Sequence, residues 1–218
     1  MAYLNQQALL VFATIIFAPA VFLHLTNKNT SAVRLYMVQS SAIAALLILS
    51  SFDRFSPLIA IAIVATVAVK IFIAPYFFYG LIKRHQLTFS VSTYLNTPLS
   101  LLVIAALLAL TQSEFFDALA VLSTSGEKLL RLAFATILIS LFLSINRKGA
   151  LSQMLGILSL ENGIVAFALF AGLEQSPGLQ LGITFNILIW VIIATVFASM
   201  IFRRFGSLDV TAMKKLKG

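Results

Sequence analysis

Two charged residues, Lys70 and Glu161, lie near the middle of long apolar runs in this 218-residue chain. The first is in TVAVKIFIAPYFFYG and the second is in QMLGILSLENGIVA. A charge at the centre of a bilayer costs about 2.5 to 3.5 kcal/mol on insertion scales, so such residues usually face the protein interior or a water-filled path. An ammonium and a carboxylate in such a place can exchange protons, because burial penalises the charged form of each. The residue types therefore indicate a proton or ion path through Glu161 and Lys70.

The same two residues also have a purely structural interpretation. They would then form a buried ion pair that holds two parts of the protein together, or each would bond to polar groups of a partner subunit. Residue type alone does not separate the alternatives, since catalytic, conducting and structural ion pairs perturb protonation alike.

Polar residues and a proline surround Lys70. Thr66 precedes it by one helical turn and is a secondary polar position of the path. Pro75 follows it by five residues and has no N–H to donate to the carbonyl of Ile71. We therefore expect a kinked, partly unsatisfied backbone just beyond Lys70.

Three glycines, Gly149, Gly156 and Gly163, recur every seven residues around Glu161. At about 100° per residue, their stripe lies roughly opposite the carboxylate. Small residues in such a stripe let a neighbouring helix approach closely, which predicts helix packing there. Asn162 is predicted to lie off the face of Glu161 and to form hydrogen bonds between helices.

Two further polar positions are His24, near the end of the first apolar run, and Asn186 in the last. The chain has no cysteine and two histidines, which excludes disulfides and thiolate metal sites and leaves little for haem or zinc. No Gly-rich phosphate loop or nucleophile elbow occurs. We expect no cofactor and no metal in this chain, and no catalytic residue.

Composition defines the elements that must position these residues. The chain is 61% hydrophobic and 10% charged, whereas soluble domains carry about 25% charged residues. A single tryptophan and the lack of alternating polar segments argue against a β-barrel. The sequence therefore predicts an all-α integral membrane protein whose first apolar run, which lacks a positive leader, is a retained helix.

Taking about 20 apolar residues as one span, we predict seven membrane helices at about 7 to 25, 32 to 52, 57 to 81, 95 to 112, 129 to 146, 149 to 172 and 178 to 202. The basic residues collect on one side of these spans, at Lys28, Arg34, Lys83, Arg84, Arg147, Lys148, Arg203, Arg204, Lys214, Lys215 and Lys217. Only Arg54, Lys128 and Arg131 fall on the other side. The positive-inside rule predicts an outside N-terminus and a cytoplasmic C-terminus. The net charge of +8 thus reports topology and not nucleic-acid binding.

The two ends of the chain share a plan of three helices in the same orientation. Aligning RLYMVQSSAIA with LSQMLGILSLE sets Met37 over Met154 and places Lys70 opposite Ile187, next to Asn186. This pattern is typical of a parallel duplication. The predicted units are residues 1–94 and 129–218, joined by a linking helix and loop at 95–128.

The stretches GILSLENGIVAFAL, VKIFIAPYFFYG and FRRFGSLDVTAMKKLKG resemble the hydrogenase-4 component E family. The last three helices of that family are similar to the K subunit of respiratory complex I and to the C subunit of multisubunit cation/proton antiporters. The resemblance covers nearly the whole chain. By it, Glu161 matches the membrane carboxylate of the K-type subunit and Lys70 matches the family lysine, whereas Asn186 stands near where component E has an acid.

The resemblance implies a non-catalytic subunit in the membrane arm of a redox-driven proton or sodium pump, in a prokaryotic cytoplasmic membrane. Its implied partners are antiporter-like membrane subunits and a peripheral redox arm that carries the iron–sulfur and nickel–iron centres. Two alternatives stay open: a subunit of a cation/proton antiporter without a redox arm, and a structural scaffold of the membrane arm that moves no protons.

Overall fold

The computed structural model of the chain describes residues 6–51, 56–117, 126–173 and 176–211. Within these ranges the protein is all-helical, with α1 (Gln6–Leu25), α2 (Asn29–Ser50), α3 (Pro57–His85), α4 (Thr97–Thr111), α5 (Glu127–Asn146), α6 (Ala150–Phe170) and α7 (Pro177–Phe205). These helices agree with the seven predicted spans to within a few residues at each end. The predicted all-helical fold is confirmed.

Six of these helices are long and apolar enough to cross a membrane, which is compatible with a multi-pass membrane protein. The shorter one is α4, with 15 residues. At 1.5 Å per residue it is about 22 Å long, whereas the hydrocarbon core of a bilayer is about 30 Å thick. By its length, α4 therefore supports a membrane crossing less strongly than the other six helices do.

Three helices begin with the same local signal, a capping side chain followed by a proline in the first turn. The capping residues are Ser56, Asn96 and Ser176, and the side-chain oxygen of each accepts a hydrogen bond from the N–H three residues later. Proline suits this position because its missing N–H is one that the first turn leaves unpaired anyway. Residues close in sequence therefore determine where these three helices begin.

The disruption expected from Pro75 takes the form of a π-helical turn inside α3. The turn spans Ala68–Ile73, and the N–H of Ala74 bonds to the carbonyl of Val69, five residues back. Such wider turns are rare and often occur at functional sites. Lys70 lies within the turn, so the altered backbone is at the charged residue and ends just before the proline.

The hairpin of α5 and α6 is held together by close contact at two glycines. A Cβ on Gly156 would lie 3.0 Å from the backbone nitrogen of Ser144, and one on Gly163 would lie 3.1 Å from that of Ile137. As residue numbers rise along α6 they fall along α5, so the two helices are antiparallel. Gly149 instead precedes α6 and packs against Val91 of a loop, so it is not part of this helix-to-helix seam.

The first three helices pack beside the last three: α1 on α5, α2 on α6 and α3 on α7. Along the third pair, Thr66 contacts Thr184 and His85 contacts Ser199, so α3 and α7 run parallel. This arrangement agrees with the parallel orientation expected for the two three-helix units. The duplication itself, and the boundaries at 94 and 128, stay predictions.

One end of the bundle, which we call the basic end, is closed by loops that pair with one another. Isolated antiparallel bridges join Lys28 to Phe89, Thr93 to Arg147 and Gly149 to Asp209. Thr211 donates from its backbone and its hydroxyl to Asp209, and these bonds lower the pKa of that carboxyl. The tail with Lys214, Lys215 and Lys217 lies outside the described residues.

The opposite end, which we call the acidic end, carries three of the five described acids, Glu114, Asp117 and Glu127. There Arg131 forms ion pairs with Asp117 and Glu127 and donates to the carbonyls of Thr111 and Ser113. The start of α4 is tied to Asn146 at the basic end, so α4 runs from one end of the bundle toward the other. The loops rich in basic residues and the loops rich in acidic residues thus lie at opposite ends of the bundle. The orientation of these ends in a membrane stays a prediction.

Candidate functional site

Lys70 and Glu161, 91 positions apart in the sequence, are in direct contact. Lys70 Nζ lies 2.5 Å from Glu161 Oε2. The lysine side chain is 1% exposed and the glutamate side chain is 19% exposed. The two charges therefore meet inside the bundle, with the carboxylate nearer to its outer surface.

Asn162 completes the surroundings of the ammonium. Its Oδ1 accepts a second hydrogen bond from Lys70 Nζ at 2.9 Å. Asn162 was expected to lie off the face of Glu161 and to form hydrogen bonds between helices, and it forms them with α3 and α2. Neighbouring residues of a helix point about 100° apart, and the long lysine side chain enters between the two.

On the far side of Asn162, hydrogen bonds lead across α2 to α1. Its Nδ2 donates to Gln39 Oε1 at 3.2 Å and to Ser40 Oγ at 3.0 Å. Gln39 Nε2 in turn donates to the carbonyl of Ile16 at 2.9 Å. Gln39, Ser40 and Asn162 are each fully buried, so these bonds satisfy groups that no water reaches.

On the other side of Lys70, one turn back along α3, a second polar group reaches α7. Thr66 Oγ1 lies 3.0 Å from Thr184 Oγ1 and accepts from Gln180 Nε2 at 3.1 Å. All three side chains are buried. Together the two groups form what we call the polar axis, made of Gln180, Thr184, Thr66, Lys70, Glu161, Asn162, Gln39 and Ser40.

The centre of the polar axis lies at one depth in the bundle. Ile16, Gln39, Lys70 and Glu161 each stand within one residue of the midpoint of their helix. The contacts between them therefore run sideways across the bundle and not along it. Thr184 and Gln180 continue the axis toward the acidic end, since α7 begins at Pro177.

Two acceptor oxygens of the axis have no hydrogen-bond partner among the described residues, Glu161 Oε1 and Gln180 Oε1. Buried polar atoms are normally paired, so each open position suits a proton donor such as water or a partner group. Glu161 stands between Ile157 and Ile164, which are 42% and 49% exposed. The carboxylate is thus placed where α6 meets the surroundings of the bundle.

The remaining sequence candidates lie elsewhere. His24 is buried, with Nε2 at 3.0 Å from the carbonyl of Ile139 and its ring stacked on Phe142, and it does not touch the polar axis. Asn186 is exposed on α7. Within the described residues, no three histidines, aspartates or glutamates lie close enough together to hold a metal ion.

Among proteins of known sequence, one of Mycobacterium tuberculosis (strain ATCC 25618 / H37Rv), described as "Uncharacterized protein Rv0085", is 31% identical over 189 residues. The match covers 85% of this chain and 84% of that protein. The chain belongs to the family of this mycobacterial protein. No family model matches the chain, and no solved structure matches it. The description of this relative names no activity.

Sequence reasoning missed the role of Arg147, whose side chain forms four hydrogen bonds at the basic end. Its guanidinium donates to Ser90 Oγ and to the carbonyls of Leu23, His24 and Thr26, at 2.7 to 3.0 Å. Burial lowers the pKa of Arg147, yet an arginine stays protonated in proteins. It supplies donors and positive charge to the end of α1, where helix carbonyls lack partners.

We expect Arg147→Met to lower the free energy of unfolding by about 2 to 6 kcal/mol, because it leaves two buried acceptors, the carbonyls of Leu23 and His24, without this donor, and each costs about 1 to 3 kcal/mol. Unfolding by denaturing detergent, followed by circular dichroism, measures this loss. Lys148→Met is the matched control, since it removes the same charge one residue away. Lys148 lies 5.1 Å from the centre of the Tyr94 ring, a contact worth about 0.5 to 1 kcal/mol. Equal losses for the two variants would contradict the role given to Arg147.

Gln39 and Gln180 were also missed, although the sequence holds a signal for them. Each is an uncharged amide inside an apolar helix, and such side chains rarely stay unpaired away from water. A buried amide disturbs the hydropathy of an apolar helix less than a charged residue does, and many polar residues in membrane helices only support packing. Gln39 and Gln180 therefore do not stand out in the sequence. Their place beside Lys70 and Thr66 appears only when the helices are assembled.

Proposed function

We propose that this chain is a non-catalytic membrane-arm subunit of a redox-driven ion pump related to group 4 hydrogenases and complex I. In this proposal it lies in the cytoplasmic membrane of a prokaryote, with seven membrane crossings and the basic end in the cytoplasm. Its partners are antiporter-like membrane subunits and a peripheral arm that carries iron–sulfur clusters and, in a hydrogenase, a nickel–iron centre. The ion is a proton or a sodium ion.

The observation that carries the proposal is the contact of Lys70 Nζ with Glu161 Oε2 at the middle of the polar axis. Charged residues near the centre of a membrane helix are costly and usually functional. Here Lys70 is bonded to Asn162 of α6, which bonds to buried amide and hydroxyl groups of α2. A second group of buried hydroxyl and amide side chains joins α3 to α7 one helical turn from Lys70. A sideways series of polar groups suits a subunit that passes charge between neighbouring subunits in the plane of the membrane.

The chemistry available to the pair is a proton transfer between two atoms. Moving a proton from Lys70 Nζ to Glu161 Oε2 turns the ion pair into a neutral amine and a neutral carboxylic acid. No other bond changes, and the net charge of the pair stays zero. The protonated carboxyl can then turn its O–H outward at the surface between Ile157 and Ile164, while Asn162 Oδ1 continues to accept from the amine.

Glu161→Gln in the intact complex tests this function. Glutamine keeps the shape and an acceptor oxygen for Lys70 but cannot take up the proton. We expect the complex to assemble and to transfer electrons, and the number of ions moved per electron pair to fall. Ion uptake by membrane vesicles, measured together with electron transfer, gives this ratio. Glu114→Gln is the control, because Glu114 is an exposed carboxylate outside the polar axis.

Normal ion movement by an assembled Glu161→Gln complex would overturn the relay and leave the pair as a structural element. Purification of the complex distinguishes the redox-driven pump from the cation/proton antiporter without a redox arm. Subunits with iron–sulfur or nickel–iron centres should be isolated together with this chain, whereas a complex that moves cations without any redox subunit would support the antiporter.

A further inference from the structure

A groove between α3 and α7 opens toward the outside of the bundle near its basic end. Its cavity volume is about 440 Å³. The walls include Tyr76, Gly80 and Arg84 of α3 and Val196, Met200 and Arg203 of α7. The two helices are tied beneath it by a hydrogen bond of 2.9 Å between His85 Nε2 and Ser199 Oγ. The groove therefore lies between two parallel helices joined at their ends.

Most of the groove is apolar and uncovered. Tyr76 is 75% exposed and Met200 is 58% exposed. Gly80 leaves a gap on the α3 side, since a Cβ built there would meet no atom within 4 Å. In a bilayer this surface faces acyl chains, and the gap over Gly80 offers a chain a place closer to the bundle than the rest of the surface does.

The end of the groove is positively charged. Arg84 and Arg203 both line it, and both lie near the ring of His85. Neither forms an ion pair with any described residue, in contrast to Arg131 at the acidic end. Two neighbouring cations without an acid attract an anion, and arginine binds phosphate with a geometry that lysine lacks.

The spacing of the groove fits one leaflet. Tyr76 and Arg84 are eight residues apart, about 12 Å along a helix. Half of the hydrocarbon core is about 15 Å thick. An amphipathic molecule with its anion at the arginines would therefore extend its chain along most of the groove toward the middle of the membrane.

We propose that the α3–α7 groove binds one anionic phospholipid, with its phosphate on Arg84 and Arg203 and an acyl chain along the surface over Gly80. Basic pockets between membrane helices on the cytoplasmic side hold anionic headgroups in this way. The inference depends on the chain lying in a bilayer and does not depend on ion movement along the polar axis.

The sequence offers a matched pair of variants for the test. Lys83 and Arg204 are exposed neighbours of the two arginines, and they do not line the groove. Arg84→Gln with Arg203→Gln thus removes two charges inside the groove, and Lys83→Gln with Arg204→Gln removes two beside it. Lipid affinity is measured on the full chain in detergent by native mass spectrometry, with phosphatidylglycerol, phosphatidylcholine and inorganic phosphate as probes.

We expect the unchanged chain to bind phosphatidylglycerol more tightly than phosphatidylcholine. The groove variant should bind phosphatidylglycerol about 30-fold more weakly, the sum of two basic contacts at a membrane surface, and the neighbouring variant should keep its affinity to within about threefold. Equal losses in the two variants would mean that the whole basic end attracts lipid, which overturns the site.

Gly80→Leu tests the part of the proposal that concerns the chain. It fills the gap with a side chain and leaves both arginines in place, and its Cβ would meet no atom within 4 Å. We expect weaker phosphatidylglycerol binding and unchanged binding of inorganic phosphate. If inorganic phosphate binds the unchanged protein as tightly as the lipid does, or if Gly80→Leu leaves lipid affinity unchanged, the groove does not hold a lipid chain.

Discussion

Lys70→Met is expected to lower the free energy of unfolding by about 3 to 5 kcal/mol, the loss typical when one partner of a buried ion pair is removed. The variant leaves the Glu161 carboxylate without its cation and takes a donor from Asn162 Oδ1. The loss is read from unfolding of the purified chain in detergent micelles. Lys83→Met is the control, because it makes the same change at an exposed position on the same helix.

Adding Glu161→Gln to Lys70→Met separates a structural pair from a relay. Removing both charges takes away the unpaired carboxylate, so we expect most of the lost stability to return. Ion movement by the complex should stay low, because neither proton-carrying group remains. A double variant that is stable and moves ions normally would show that the pair only holds helices together. A loss below about 1 kcal/mol in Lys70→Met alone would contradict the buried pair itself.

Gly156→Ala combined with Gly163→Ala is expected to separate α5 from α6 and to cost about 2 to 6 kcal/mol, since overpacking costs about 1 to 3 kcal/mol at each position. The new methyl groups would meet the backbone of Ser144 and Ile137, which cannot turn aside as a side chain can. The two positions are seven residues apart, about 10 Å along the helix, so their effects should add. Unfolding of the chain in micelles measures the loss.

Gly182→Ala is the control for the glycine variants. It lies on α7, and a Cβ built there meets no atom within 4 Å. Alanine favours helix over glycine by about 0.8 to 1 kcal/mol, so this variant should be as stable as the unchanged chain or more stable. If Gly156→Ala and Gly163→Ala also leave stability unchanged, the close contact of α5 and α6 is not needed for folding.

The glycine variants and Lys70→Met affect opposite faces of α6, because Lys70 of α3 contacts Glu161 of α6. The glycines of α6 face α5, while Glu161 and Asn162 face α3 and α2. A shift of α6 away from α5 would therefore also move the carboxylate relative to Lys70. We expect the glycine variants to reduce ion movement in the complex as well as stability, whereas Glu161→Gln should reduce ion movement and leave the hairpin in place.

Local sequence patterns were sufficient to predict the helices and to identify the two charged residues inside them. Membrane-length apolar runs are local, and so are the capping residue and proline that begin α3, α4 and α7. Lys70 and Glu161 were identified because each alone breaks the hydropathy of its run. The glycine spacing likewise gave the close face of α6, although Gly149 proved to pack on a loop. These features could be predicted without knowing which helices are neighbours in the fold.

The contacts of those residues depend on how the helices pack against one another. The contact of Lys70 with Glu161 joins positions 91 residues apart, and Asn162 shares the ammonium because a flexible lysine enters between two helix faces. Gln39, Gln180 and Arg147 gained their roles from helices and loops distant in sequence. These contacts between distant residues depend on the sum of many weak packing contacts between whole helices. A local pattern of residues does not predict that sum.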